Sequence, residues 1–307
     1  MQDSYAILTP NGATAGRSRA DALAVVRRSR ALVNVTGYVR DEAVLDAAPL
    51  RIFLDIDPGY GQMWQELGLA DVLAGHDIFV TIAANIGEPS CGVPAAGATW
   101  TTTRPPVVLA RWPSTRGGQA FTTIATWRGP CGPLEYEGRT YGSRVHEFRK
   151  FAALPGRVGA VCELALDIHE DETADLSLLR RGGWTLVDPL AVVADPASYR
   201  RYIQRSRAEI CVAKNMYVDT RGGWVSDRSV CYLASGKPVL AQDTGFSETL
   251  PTGAGLIAFS TLDEAVAGVE EIEARYEHHS AAARELAEEY FDSDLVLANL
   301  LEKVGVA

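Results

Sequence analysis

The sequence predicts an α/β protein built from two Rossmann-like domains that face each other across a cleft. Three observations carry this expectation. The chain has 307 residues, the length of two ordinary domains. Short apolar strands alternate with helical segments, the pattern of parallel sheets wrapped by helices. The alternation breaks once, at the polar stretch 114–119 (STRGGQ), and then restarts. The expected organisation is an N-terminal domain over 1–113, a linker over 114–120 and a C-terminal domain over 121–307. The last helix has two candidate homes, its own domain or the N-terminal one.

The elements follow in order. The opening SYAILTP is a weak strand. Residues 19–35 read as an amphipathic helix running into the strand ALVNV. LRIFLDI (50–56) is a strand closed by the loop signal Asp57-Pro58-Gly59. A helical stretch reaches Gly75, the strand HDIFVTIAAN follows, and a polar, Gly- and Pro-rich stretch covers 87–106. The strand PVVLARWP ends at Pro113. Beyond the linker come strand 121–127 (FTTIATW), a hairpin in PLEYEGRTYG, a helix at 143–153, strand 159–167 (GAVCELALD), a helix at 173–181 and the short strand WTLVD. A helix over 196–206 leads into strand 208–213 (AEICVA), then a long polar loop to Trp224. Helix 227–235 stops at Gly236, and the strands KPVLAQD and GLIAFS precede two or three final helices. The N-terminal half holds only three or four strands. Truncation, evolutionary reduction, and completion by another chain, a second copy included, are three readings of that shortness.

Composition narrows the function. Apolar residues make up 47% and charged residues 22%, values of an ordinary folded domain. No apolar run approaches the roughly 18 residues of a membrane span. The first residues lack the basic and apolar regions of a signal peptide, so a cytoplasmic protein is expected. The net charge of −10 argues against general nucleic-acid or anionic-membrane binding, which needs a basic footprint. The five cysteines form no C-x-x-C pair, and the five histidines show no H-x-x-x-H spacing. Reduced thiols and no metal site are expected.

The densest chemistry lies in 206–260. Lys214 follows a buried strand, which places its ammonium at the carboxyl edge of the sheet, where such folds bind ligands. Gly222 and Gly223 allow backbone to approach a ligand. Ser226 is a good N-cap for helix 227–235, whose free N–H groups then face the cleft and favour an anion. Arg228, on the first turn, is within reach of a phosphate, so Arg228→Ala is expected to weaken diphosphate binding with little change in stability. Asp227 beside it either orients a cation or reads a hydroxyl. Asp243-Thr244-Gly245-Phe246 offers a tight turn with more backbone donors. The plain alternative is that Ser226 only caps a surface helix. In the N-terminal half, Asp55 and Asp57 share one face at a strand end. Asp57 is a candidate general base or substrate ligand, with loop capping at Gly59 and a D-x-D metal pair as the other readings.

The order of these pieces resembles the nucleotide-sugar glycosyltransferases of GT-B fold, in particular the retaining glycogen-synthase-like branch and bacterial relatives. The resemblance covers roughly 121–275. It rests on Ala234-Ser235-Gly236-Lys237-Pro238-Val239-Leu240, then Asp243, Gly245 and Glu248, with S-R-x-E-x-x-V-A-K, G-W-x-S-D-R-S and Q-D-T-G-F upstream and downstream. It implies a GT-B-like fold, an acceptor-side N-terminal domain and a C-terminal domain that binds a nucleoside-diphosphate sugar, UDP among the carriers. No cofactor beyond that co-substrate and no metal are implied; the acceptor is left unnamed. By resemblance, Arg128 and Arg144 would bind the diphosphate, or else are surface arginines. Val187 falls in the stretch resembling the base-binding loop, and Trp127 would frame the base or pack the domain. The branch's two glutamates are replaced here by Gly223 and Cys231. Asp227, one turn before Cys231, is the candidate substitute, with Asp57 as the other catalytic carboxylate. The stereochemical outcome is left open by that departure. An epimerase of the same fold and a non-catalytic binding subunit are the alternatives.

Overall fold

The computed structural model describes residues 5–9, 14–129, 131–142 and 144–306. Its strands are β1 (Ala6–Leu8) and β2 (Thr14–Gly16), an antiparallel pair; β3 (Leu32–Val35), β4 (Arg51–Asp55), β5 (Ile78–Thr81) and β6 (Trp100–Thr102); β7 (Ala120–Thr126); β8 (Leu134–Tyr136) and β9 (Arg139–Tyr141), a hairpin; and β10 (Val161–Asp167), β11 (Thr185–Val187), β12 (Ala208–Cys211), β13 (Val239–Gln242) and β14 (Leu256–Phe259). Two all-parallel sheets result, ordered β3-β4-β5-β6 and β11-β10-β7-β12-β13-β14.

The second sheet is doubly wound. The chain starts at the central β7, moves outward to β10 and β11, then returns to build β12, β13 and β14 on the other side. Its order reverses between β7 and β12, and the crevice beyond their carboxyl ends is the place such sheets bind ligands. Every residue of β12 and β13 is buried, as expected of central strands covered on both faces. One core packs Phe121, Phe148, Phe151 and Phe259 together; a second gathers Val230, Leu233, Phe246 and Phe291.

The first sheet gains a covering from the far end of the chain. Helix Ser293–Lys303 sets Leu300 and Val304 against Ile52 and Val80, and the Lys303 ammonium donates to the Thr102 carbonyl at 3.0 Å. The crossing is fixed by backbone: Val107 N–H donates to Phe291 O at 2.7 Å, and Ser293 N–H to Val107 O at 2.9 Å.

Several elements differ from expectation, each for a local reason. PVVLARWP is not a strand; Val107 makes one bridge and a 3-10 turn follows at Leu109–Arg111. Pro105 and Pro106 lack the N–H donors a strand needs. The helix toward Gly75 ends at Glu66, just before Gly68 at φ 67°. Helix Glu42–Ala47, capped by Asp41, was not legible in its flank of loop residues. The long polar loop contains helix Asn215–Thr220. The cysteines are all free thiols. Among the described residues no helix is long and apolar enough to cross a membrane.

Residues 114–119 form no helix or strand and are strapped to the turn between helix Asp227–Ala234 and β13. Thr115 N–H donates to Ser235 O at 3.0 Å, and the Lys237 ammonium donates to Gly117 O at 3.0 Å. Lys237 is fully buried, and burial followed by the nearby Arg207 charge pulls its pKa down to about 8. The unfolded chain, with an ordinary lysine near 10.5, therefore holds more protons between about 8 and 10.5. Stability gains a rising contribution across that window, because the cost of the buried charge fades as the native lysine deprotonates. Urea denaturation across pH should show the wild-type protein gaining on Lys237→Met from pH 8 upward; parallel curves would refute a buried charged lysine.

Candidate active site

A cavity of about 460 Å³ opens between the two sheets. Its C-terminal wall holds Arg144, Lys214, Tyr217, Trp224, Ser226 and Asp227, with Arg228 behind them. Arg144, Lys214 and Ser226 each occupy the N-cap position of a helix that begins after a strand or loop at this edge. The facing wall carries Asp57 and apolar side chains from the loops after β3, β4 and β5.

Arg144 is uncommitted among the described residues. Its guanidinium makes no hydrogen bond or ion pair with any described residue, and its Nε is buried without a partner. Burial, then the adjacent Arg228 charge, holds its pKa below the usual arginine value. A buried donor without a partner carries a desolvation cost that an anionic ligand would remove.

Lys214 reaches across the cleft. Its ammonium donates to both Asp57 carboxylate oxygens at 3.2 Å and to the Tyr217 hydroxyl at 3.2 Å. Tyr217 also donates to Asp57, and burial together with that carboxylate raises its pKa well above the usual phenol. Tyr217 stacks on Trp224 at 4.0 Å between centroids. Asp55, by contrast, is buried and structural. It accepts from Gln62 at 2.6 Å, Thr81 at 2.8 Å and the Asp57 N–H at 3.1 Å, and burial raises its pKa against those bonds. Asp55 therefore shapes the loop that presents Asp57, and no group of three metal-ligating side chains occurs among the described residues.

Arg228 lines the cavity, but its guanidinium is already engaged. It donates to the fully buried Glu209 at 2.5 Å, to Ile124 O at 2.9 Å and to Cys211 Sγ at 3.3 Å. Burial opposes its charge, yet Glu209 and Cys211 raise its pKa well above the usual value. Its guanidinium is occupied by the core, so the expected phosphate contact without a stability cost is corrected. Ser226 is an N-cap by backbone only; its hydroxyl makes no capping bond, and the residue lines the cavity. Ser226→Ala is accordingly expected to shift the melting transition by less than the roughly 1 kcal/mol of a true capping serine. A full-sized loss in thermal denaturation would restore the capping role. Asp227 is exposed, accepts from the Arg228 N–H at 2.9 Å and holds neither Lys214 nor the Arg228 guanidinium.

Other expected ligands sit outside the cavity. Trp127 is in the core, donating to Asp175 at 2.8 Å and edge-on to Phe148, with no face left for a base. Arg128 is paired to Glu172 at the surface. Val187 ends the outer strand β11, half-buried and away from the lining. Asp243 accepts from Gly245 N–H at 3.0 Å and Ser247 Oγ at 2.9 Å, Thr244 donates to Trp224 O at 2.5 Å, and Phe246 is core. Gly223 and Gly245 serve the seam between the halves rather than a ligand. Asn85 donates to Arg221 O and Gly245 O, both at 3.0 Å, and a Cβ on either glycine would come within 2.9 Å of its side chain. Tyr217, Trp224 and Glu209 were missed. Tyr217 lies three residues after Lys214, on one helix face, a signal that appears once 215–220 is read as a helix.

No protein-family model and no curated protein matches the sequence. Solved structures do match in fold. HepE of Anabaena, determined with UDP-glucose, superposes with a TM-score of 0.62 at 11% identity, over 94% of this chain and 82% of that one. A glycosyltransferase from Rickettsia africae gives 0.55 at 12% identity, over 91% and 78%. Sucrose-phosphate synthase from Thermosynechococcus elongatus gives 0.57 at 9% identity, over 97% and 82%. At these identities the likeness establishes the fold, and the fold of this chain is GT-B.

Proposed function

We propose that this chain transfers a glycosyl group from a nucleoside-diphosphate sugar to a hydroxyl acceptor. The observation that carries the reading is the unpartnered Arg144 guanidinium, set beside Lys214 and the N-terminus of helix Asp227–Ala234 at the switch point of a doubly wound sheet. HepE, which shares this fold, has been determined with UDP-glucose, which supports the donor class.

In this reading the bond from the anomeric carbon to the diphosphate oxygen breaks, and its electron pair leaves on the nucleoside diphosphate. Arg144, Lys214, the Ser226 hydroxyl and the free helix N–H groups stabilise that developing charge, and need no metal to do so. The acceptor oxygen bonds to the anomeric carbon as its proton passes to Asp57. Trp224, stacked on Tyr217, offers a flat apolar face beside the cations.

Calorimetry with UDP, GDP, ADP and TDP should reveal one preferred ligand. Arg144→Ala should weaken it by about 10- to 150-fold, the equivalent of about 1.5–3 kcal/mol for a charge-assisted contact. The variant should be at least as stable as the parent, because a desolvated cation has been removed. No nucleotide binding below millimolar, or binding unchanged in Arg144→Ala, would overturn the reading.

A further inference from the structure

The wall facing the cations is apolar, and it is held that way at some cost. Ile56 and Leu297 line the cavity at 47% and 46% exposure, and Tyr38 stands at its mouth at 84%. Leu54, Ile82 and Leu300 continue the surface inward. Two of its polar side chains are engaged elsewhere. Thr36 donates to Val35 O, and Arg104 donates to Thr249 O while lying over the Tyr290 ring. Asp57, which accepts from Lys214 and Tyr217, is the carboxylate on this wall that a hydroxyl can engage.

The turn that presents Tyr38 is not slack. Thr36 has φ 52° and Gly37 φ 69°. A β-branched residue in the left-handed region is an outlier, and persists only where its surroundings enforce it. The enforcement is visible: buried Asn34 accepts from Val39 N–H and donates to Val39 O, each at 2.9 Å. An exposed tyrosine on an enforced, strained turn at a cavity mouth is a contact kept ready for something that covers it.

We infer that the acceptor is a small molecule whose reacting hydroxyl is carried on an apolar, uncharged body, which packs against Tyr38, Ile56 and Leu297. This rests on the glycosyl-transfer reading and names its acceptor class. The cavity is divided to match: an anionic leaving group fits the cationic wall, a hydroxyl fits Asp57, and a body without hydrogen-bonding groups fits the remaining wall. A polyhydroxylated sugar would leave its hydroxyls unpaired there, which costs more than the contact returns.

The test uses the full chain and three probes: 2-naphthol, n-octanol and methyl α-glucopyranoside. Titration of 2-naphthol into the nucleotide-free protein should give saturable binding, weakened about tenfold in Tyr38→Ala and in Leu297→Ala, as loss of one apolar contact predicts. UDP affinity should be the same in both variants. With a donor that turns over, transfer to 2-naphthol or n-octanol should have a KM at least tenfold below that for the glucoside; which of the two is better separates an aromatic body from an aliphatic one. Equal or better use of the glucoside, naphthol binding indifferent to both substitutions, or a concentration-dependent dimer that abolishes naphthol binding would each overturn the inference. Failure of nucleotide binding alone would strike the transfer reading instead, and the naphthol titration would still report on the wall.

Discussion

Arg228→Ala should destabilise the protein by about 3–5 kcal/mol, because it strands the fully buried Glu209 carboxylate without its partner. At roughly 2–4 °C per kcal/mol for a chain of this size, the melting transition should fall by on the order of 10 °C. The double variant Arg228→Met with Glu209→Leu should recover much of that loss, since an apolar pair of similar volume often matches a buried ion pair. Thermal or urea denaturation of Arg228→Met, Glu209→Leu and the double closes the cycle. Additive losses would mean that the two residues are independent. Arg144, whose guanidinium neighbours this pair, has the opposite expectation, and the contrast between two adjacent arginines follows from what each one touches.

Asp57→Asn should cut donor turnover by about 10²–10⁴, the range for removal of a general base. Affinity for the nucleotide should hold or rise, because Lys214 would lose the carboxylate that now engages it. Asp55→Asn should act differently. It disturbs the bonds to Gln62 and Thr81, so its main effect should be on stability. Steady-state turnover beside UDP calorimetry separates these roles, and an equal loss of UDP binding in both variants would remove Asp57 from the chemistry.

Much of the C-terminal half was legible. Strands such as Ala208–Cys211 and Val239–Gln242 are short and mainly apolar, and Gly183 and Gly236, in the left-handed region, follow the helices that lead into β11 and β13. Lys214 could be placed at the cleft because it follows a strand whose direction the alternation sets, and Arg144 by the resemblance alone. What sequence could not supply was the partner of each charge. Arg228 and Asp227 are neighbours on one helix turn, yet one turns into the core toward Glu209 and the other into solvent. Glu209 lies nineteen positions upstream in an apolar strand, and only the β12 register brings it under the helix. The same holds for Gly223 and Gly245, whose close neighbour is Asn85, more than a hundred residues away. The N-terminal half was harder, because its strands are three to five residues long and one face is covered from the opposite end of the chain.

That covering sets the order in which the protein can be made. Ile52 and Val80 leave the ribosome more than 200 residues before Leu300 and Val304, which seal them. At about 5–20 residues per second, the first sheet waits on the order of ten seconds or more with a bare apolar face while the second sheet is built. Throughout that interval the nascent chain presents the kind of apolar surface that holding factors bind, and the second sheet can form before the first is covered.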